Sequence, residues 1–388
     1  MQWIGNDSAM TRASMRFTAV GSVGMLALVG VTGCSASQSE SIPVESVTTN
    51  KSPTSVEPNS TETAELDAAP EAREPTRIAR SFAKGLPSQE LLRWSEIAVD
   101  AMAEPPTDFM GMIWPIGAEL DEIPDPQVFD GDPFREHAPV LSPSDTDEAV
   151  LYFKNWQSGL EGCETGEVKD FDSGADRVER WIRGGADVAT APDPCFDSRA
   201  AVAAWTSEQG KQDIKHIFLH ESYHALQNYL LKQCAPILGR EEDSMNDLRW
   251  FSEGTADYFS MYLQAQDGGS DDYVQQILER AHLDLLGDPG MSLNANTYVQ
   301  TAAMVLMIER GLITEEKIID GSYFHNCDWI NDFDPSRPDI ASVFEDFDKI
   351  EKSGGRYFYS NQAGVNQRRR APGRSLTSRD VRPRPQLA

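Results

Sequence analysis

Apolar positions recur at helical spacing through much of the chain. After Ser88, a residue suited to an N-cap, Leu91, Leu92, Trp94, Ile97, Ala98, Ala101 and Met102 follow at intervals of three and four and predict a helix. The same periodicity predicts helices over 198–208, 211–233, 246–264, 271–286, 296–310 and 339–350. Strand signals are fewer: EAVLYF at 148–153 and GEVKDF at 166–171. The stretch 104–145, with its many Pro, Asp and Gly residues, reads as loop with short extended pieces, and no internal repeat is visible. The pattern predicts an α+β fold, in which a mostly helical half follows a small mixed N-terminal portion.

Both ends of the chain depart from this pattern. Arg12 and Arg16 precede FTAVGSVGMLALVGVTG at 17–33, an uncharged, mostly apolar run with the features of a signal peptide. The run is shorter than the ~20 residues that a spanning helix prefers, and no charged flank stops it. It ends at Val31-Thr32-Gly33-Cys34, which resembles the lipobox of bacterial lipoproteins. That resemblance implies cleavage after residue 33, lipidation of Cys34 and an extracytoplasmic protein anchored to the cell membrane. Residues 34–75 are dense in Ser, Thr, Glu and Pro and too poor in large apolar side chains to fold, so they read as a disordered linker. The predicted folded domain spans 76–366. Residues 367–388 carry seven arginines against the single acid Asp380 and read as a basic disordered tail.

Charge narrows the partners. With 62 acidic and 34 basic residues the net charge is −28, which argues against nucleic acid as a partner, because neutralising phosphates requires clustered Lys and Arg. Setting Cys34 aside leaves Cys163, Cys195, Cys234 and Cys327, an even number in a chain expected to meet an oxidising compartment. Two disulfides are expected. Three pairings are possible, and pairing neighbours along the chain gives Cys163 with Cys195 and Cys234 with Cys327.

The chemistry concentrates in KQDIKHIFLHESYHALQNYLLKQ, which contains His220-Glu221-Ser222-Tyr223-His224, the H-E-x-x-H pattern. Residues four apart share a helix face, so both imidazoles can reach one Zn2+ ion. Glu221 lies one position on, placed to act as general base on a water without being a ligand. Uncharged neighbours, Ile217, Phe218, Leu219, Ala225 and Leu226, suit a buried helix. His216 lies one turn before His220, either behind the site or at the surface, while His137 and His282 have no supporting pattern.

Glu253 lies twenty-nine residues beyond His224, in Trp250-Phe251-Ser252-Glu253-Gly254-Thr255-Ala256-Asp257. Together the two segments resemble the gluzincin metallopeptidases, a thermolysin-like group, over about residues 211–310. The resemblance implies a zincin-like catalytic domain with Glu253 as third zinc ligand and Asp257 orienting one ligand histidine, His220. It also implies a zinc-activated water that cleaves peptide bonds. Glu253 and Asp257 share a helix face, and Gly254 beside them predicts close packing against the His220 helix. The metzincin pattern is excluded, since Gln227 and Leu230 stand where Gly and His are required. For the oxyanion donor, the resemblance offers Tyr298 in NANTYVQTAAMVLMIERG. His325, in GSYFHNCDW, is a second candidate.

The expectation is an exported zinc metallopeptidase acting on a peptide or protein substrate. A non-catalytic cell-envelope lipoprotein with a peptidase-like fold is the alternative, and a zinc hydrolase of other amides or esters is a third reading. Retention of Glu221 favours the enzyme, because a binding relic has no use for the base.

Overall fold

A computed structural model describes residues 76–120, 137–160, 174–192, 198–206, 208–231, 242–270 and 272–360. The expected signal peptide, linker, basic tail and 166–171 strand lie outside these residues, as do Cys34, Cys163, Cys195 and Cys234. The chain begins with β1 (Thr76–Ser81), α1 (Ser88–Ala101), β2 (Asp108–Glu119), β3 (His137–Pro139), α2 (Pro143–Ser158) and α3 (Gly174–Gly184). It continues through β4 (Ala189–Thr190), β5 (Ser198–Thr206), α4 (Lys211–Leu231), α5 (Glu242–Gly268), α6 (Tyr273–Gly287) and α7 (Thr297–Arg310). Short helices α8 (Glu315–Ile319), α9 (Trp329–Asp332) and α10 (Pro338–Asp346) precede a hairpin of β6 (Ile350–Ser353) and β7 (Arg356–Tyr359). The fold is mixed α and β with helix predominating, compatible with the α+β expectation. No helix among the described residues is long and apolar enough to cross a membrane.

The sheet runs β1-β2-β5-β4, with β1, β2 and β5 parallel, β4 antiparallel at the edge, and β3 antiparallel to the end of β2. Both faces are covered. Met110, Met112, Trp114, Ala200, Val202 and Ala204 point to a core shared with α2 and α3. Phe109, Ile113, Ala201 and Ala203 point the other way, into the larger core built with α1, α4 and the later helices. Across that face Ala79, Gly111 and Ala201 lie in register, forming a row of small residues. A Cβ on Gly111 would sit 2.7 Å from both the Phe218 ring and Ser95 Oγ, so the missing side chain lets α4 and α1 lie directly on the sheet. Full burial of Phe218 contributes about 1.5–3 kcal/mol to holding α4 there.

Several expectations need correcting. Residues 198–208, predicted helical, form β5: the run SRAAVAAWT is apolar on both faces because the strand is buried on both. EAVLYF, predicted as a strand, lies inside α2, where Ser142 Oγ accepts from the Asp145 N–H at 3.2 Å and Pro143 occupies the first turn. The expected loop at 104–145 contains the twelve-residue β2. Ser88 does not cap α1; its Oγ accepts from the Ser81 N–H at 3.0 Å and ties the helix start to β1. The predicted helix at 339–350 stops at Asp346, and Ile350 opens β6.

Candidate metal centre

Helix α4 forms because Ile214, Phe218, Leu219, Ala225, Leu226 and Leu230 bury one side against the sheet and α5. The remaining stripe carries His216, His220, Glu221 and His224. Helix α5 packs alongside, held by buried Leu248, Trp250, Phe251 and Phe259, and presents Glu253 and Asp257 toward that stripe. The two helices are tied near the far end by Asp267, which accepts from Arg93 of α1 at 2.9 Å and pairs with buried Lys215 of α4.

Three ligand-capable atoms converge. His220 Nε2 lies 3.0 Å from His224 Nε2, and Glu253 Oε2 lies 3.3 Å and 3.4 Å from them. Tetrahedral zinc with bonds of ~2.0–2.1 Å separates its ligand atoms by about 3.3–3.4 Å, so the trio needs little adjustment to hold the ion. Side-chain exposures of 13%, 15% and 12% leave an open side to the cluster. Among the described residues no other trio of His, Cys, Asp or Glu could hold a metal.

The supporting bonds set the imidazole tautomers. His224 Nδ1 donates to Gln227 Oε1 at 3.0 Å, which leaves Nε2 a lone pair facing the other two atoms. Gln227 is itself held across the helix interface: Ser252 Oγ donates to its Oε1 at 3.1 Å and its Nε2 donates to Thr255 Oγ1 at 3.3 Å. Asp257, only 2% exposed, accepts from Thr301 of α7 through Oδ2 at 2.7 Å. Its Oδ1 lies 2.6 Å from His216 Nε2 and 3.8 Å from His220 Nδ1. The expected pairing with His220 is thus an approach rather than a hydrogen bond, and His216 is the nearer partner. Arg249, one turn before Glu253, places Nε 3.5 Å from Oε1 and leaves Oε2 to the histidines.

The electrostatics follow from this packing. Burial pulls the His220 pKa down, but Asp257, Glu253 and Glu221 outweigh it and hold the imidazole well above its ordinary value. Burial raises Glu253, yet the charge of His224 and the hydrogen bonds from both histidines carry its pKa well below the usual carboxylate range. Glu221, 8% exposed and without a hydrogen-bond partner among the described residues, is raised by burial against the opposing charges of His220 and His224. Asp257 is raised by burial and then driven far below its ordinary value by His216 and His220. Two imidazole nitrogens and a carboxylate oxygen turned toward one point form a group that could hold a metal ion.

Gly254 allows a close approach, though to a different neighbour from the one expected. A Cβ there would meet Gln300 O at 2.8 Å and Met304 Cε at 3.1 Å, so the helix drawn in is α7 and not α4. Tyr298 stands on the first turn of α7 with Arg280 stacked 3.5 Å above its ring. Asp257, Met261, Ile277, Arg280 and Thr301 pack around it, and burial lifts its pKa to about 12. It makes no hydrogen bond or ring contact with the ligand trio. His325 follows the turn Ser322–Phe324, whose Phe324 packs on Tyr223 of α4 and Phe251 of α5. Cys327 is disulfide-bonded, with its partner outside the described residues. His282 Nδ1 donates to Ile350 O at 2.9 Å, at the start of β6, and His137 sits on β3.

Gln227, Arg249 and Thr301 make contacts to the candidate site that the sequence analysis missed. Gln227 had a readable signal, since it lies three residues after a ligand on the same helix. Thr301 had none, because its contact spans α5 and α7. Comparisons with protein-family models, curated proteins and solved structures return no match.

Proposed function

We propose that this chain is a zinc-dependent hydrolase, most directly a peptidase, with His220, His224 and Glu253 as the metal ligands and Glu221 as the general base. The observation that carries the reading is the convergence of two imidazole nitrogens and one carboxylate oxygen at tetrahedral-edge distances, beside a buried glutamate with no hydrogen-bond partner among the described residues. A zinc ion held there would supply a Lewis acid for a carbonyl and acidify a water. Glu221 then takes the proton of the attacking water and delivers it to the leaving nitrogen. Gln227 holds the His224 imidazole inward, and Asp257 lies beside His220.

The signal-like N-terminus and Cys34 support an extracytoplasmic, lipid-anchored location, and the disulfide at Cys327 agrees with an oxidising compartment. The test is elemental analysis of wild type, Glu253→Ala and Glu221→Gln alongside hydrolysis of a mixed peptide library. The expected result is one zinc per wild-type chain, zinc lost from Glu253→Ala, and zinc kept by an inactive Glu221→Gln. A wild type that takes no zinc after reconstitution refutes the proposal. Zinc without peptide cleavage transfers the site to another amide or ester, or to the binding-lipoprotein reading.

A further inference from the structure

We propose that His216 is a positioning residue of the metal centre, acting on the ligand His220 through the carboxylate they share. This rests on the metal-centre reading above and goes beyond it, because neither the H-E-x-x-H pattern nor the downstream Glu requires a histidine at 216.

The argument begins with the geometry of Asp257. Its Oδ2 is fixed by the Thr301 hydroxyl at 2.7 Å, and its Oδ1 lies between His216 Nε2 at 2.6 Å and His220 Nδ1 at 3.8 Å. His216 and His220 are one helical turn apart on α4, so a single carboxylate from α5 meets both rings. His216 is in turn held at its other nitrogen: Ser260 Oγ lies 2.9 Å from Nδ1 and donates to the His216 carbonyl at 2.7 Å. Thr301 of α7, His216 of α4 and, through His216, Ser260 of α5 therefore fix the direction in which Oδ1 points. A buried carboxylate held by Thr301 alone could rotate about its long axis and lose its aim at His220. With His216 in place, His220 needs to close a short remaining gap to engage a carboxylate already oriented for it. Outer partners of this kind set ring orientation and ligand basicity, and their loss costs roughly 10–100-fold in metal affinity.

The test measures zinc affinity by competition with a chromophoric chelator, with metal-free melting temperatures recorded in parallel. His216→Ala is expected to weaken zinc binding about tenfold, and His216→Gln, whose amide nitrogen can reach Asp257, to recover most of that loss. Asp257→Asn should weaken binding at least as much as His216→Ala. The double variant should be no weaker than Asp257→Asn alone, because His216 has no other route to the metal. Should His216→Ala fail to fold, Ser260→Ala still frees the ring and is expected to loosen zinc several-fold. Wild-type affinity in His216→Ala or Ser260→Ala, or additive losses in the double variant, overturns the inference while leaving the metal site intact. A wild type that binds no zinc overturns both.

Discussion

Gly254→Ala sets two physical effects against each other. In an isolated helix the exchange stabilises by about 1 kcal/mol, since alanine is the better helix former. Here the new Cβ would lie 2.8 Å from Gln300 O, about 0.6 Å inside the 3.4 Å of an ordinary contact, with Gln300 C at 3.0 Å. Those are backbone atoms of α7 and cannot rotate away, so the two helices must separate. Overpacking of this kind costs ~1–3 kcal/mol, and more where backbone must move, leaving a net loss of up to about 2 kcal/mol after the gain in helix propensity. Separation by half an ångström also stretches the 2.7 Å bond from Thr301, the residue after Gln300, to Asp257. Zinc affinity should therefore fall together with stability. The assay is thermal unfolding of metal-free wild type and variant, followed by zinc titration; a loss of roughly 2–4 °C per kcal/mol is expected. A variant that melts higher than wild type and binds zinc equally well would refute the packing argument, because only helix propensity would then be acting.

Two further outcomes are expected. Asp267→Asn removes a carboxylate whose pKa is held at about 2, chiefly by its hydrogen bond from Arg93 and also by Lys215. A folded-state pKa below the unfolded value of ~3.9 contributes stability above that pH and loses it as pH falls toward 2. Partial exposure of Arg93 keeps the contribution to about 1–2 kcal/mol. Denaturant unfolding from pH 7 to 2 should show the variant less stable at neutrality and the two proteins converging in acid; a constant gap refutes the assignment. Separately, zinc at a thousand times its dissociation constant should stabilise the wild type by ~4 kcal/mol over chelator-treated protein. His220→Ala and Glu253→Ala should show no zinc dependence in the same melts, and a preserved shift would place the metal elsewhere.

The helices that carry the site were readable because their own pattern specifies them. Phe218, Leu219, Ala225 and Leu226 mark the buried side of α4, while His220 and His224 fall four apart on the other. The sheet was not readable, for reasons visible in its packing. Alanine-rich β5 has the composition of a helix, and burial on both faces erases the alternation that betrays a half-exposed strand. Gly111 and Pro115 made β2 look like a loop. Yet Gly111 receives Phe218, and Pro115 falls between the end of β1 at Ile113 and the pairing with β3 that starts at Ile116, where one side of β2 has no ladder to interrupt. Within the site, spacing along the chain identified the ligand candidates, but not which partner Asp257 prefers. That choice depends on how α5 is rotated against α4, which is set by tertiary contacts at Gly254 and Asp267.

The sheet also divides the molecule into two sides with different tolerances. Every residue of the metal centre hangs from the face that Phe109, Ala201 and Ala203 help to line, and none from the face occupied by α2 and α3. Trp181, Val178, Phe153 and their neighbours fill a core to which none of the candidate site residues belongs. An engineer seeking a site for a fusion, a label or stabilising substitutions would begin on that side, with the sheet between the change and the candidate site.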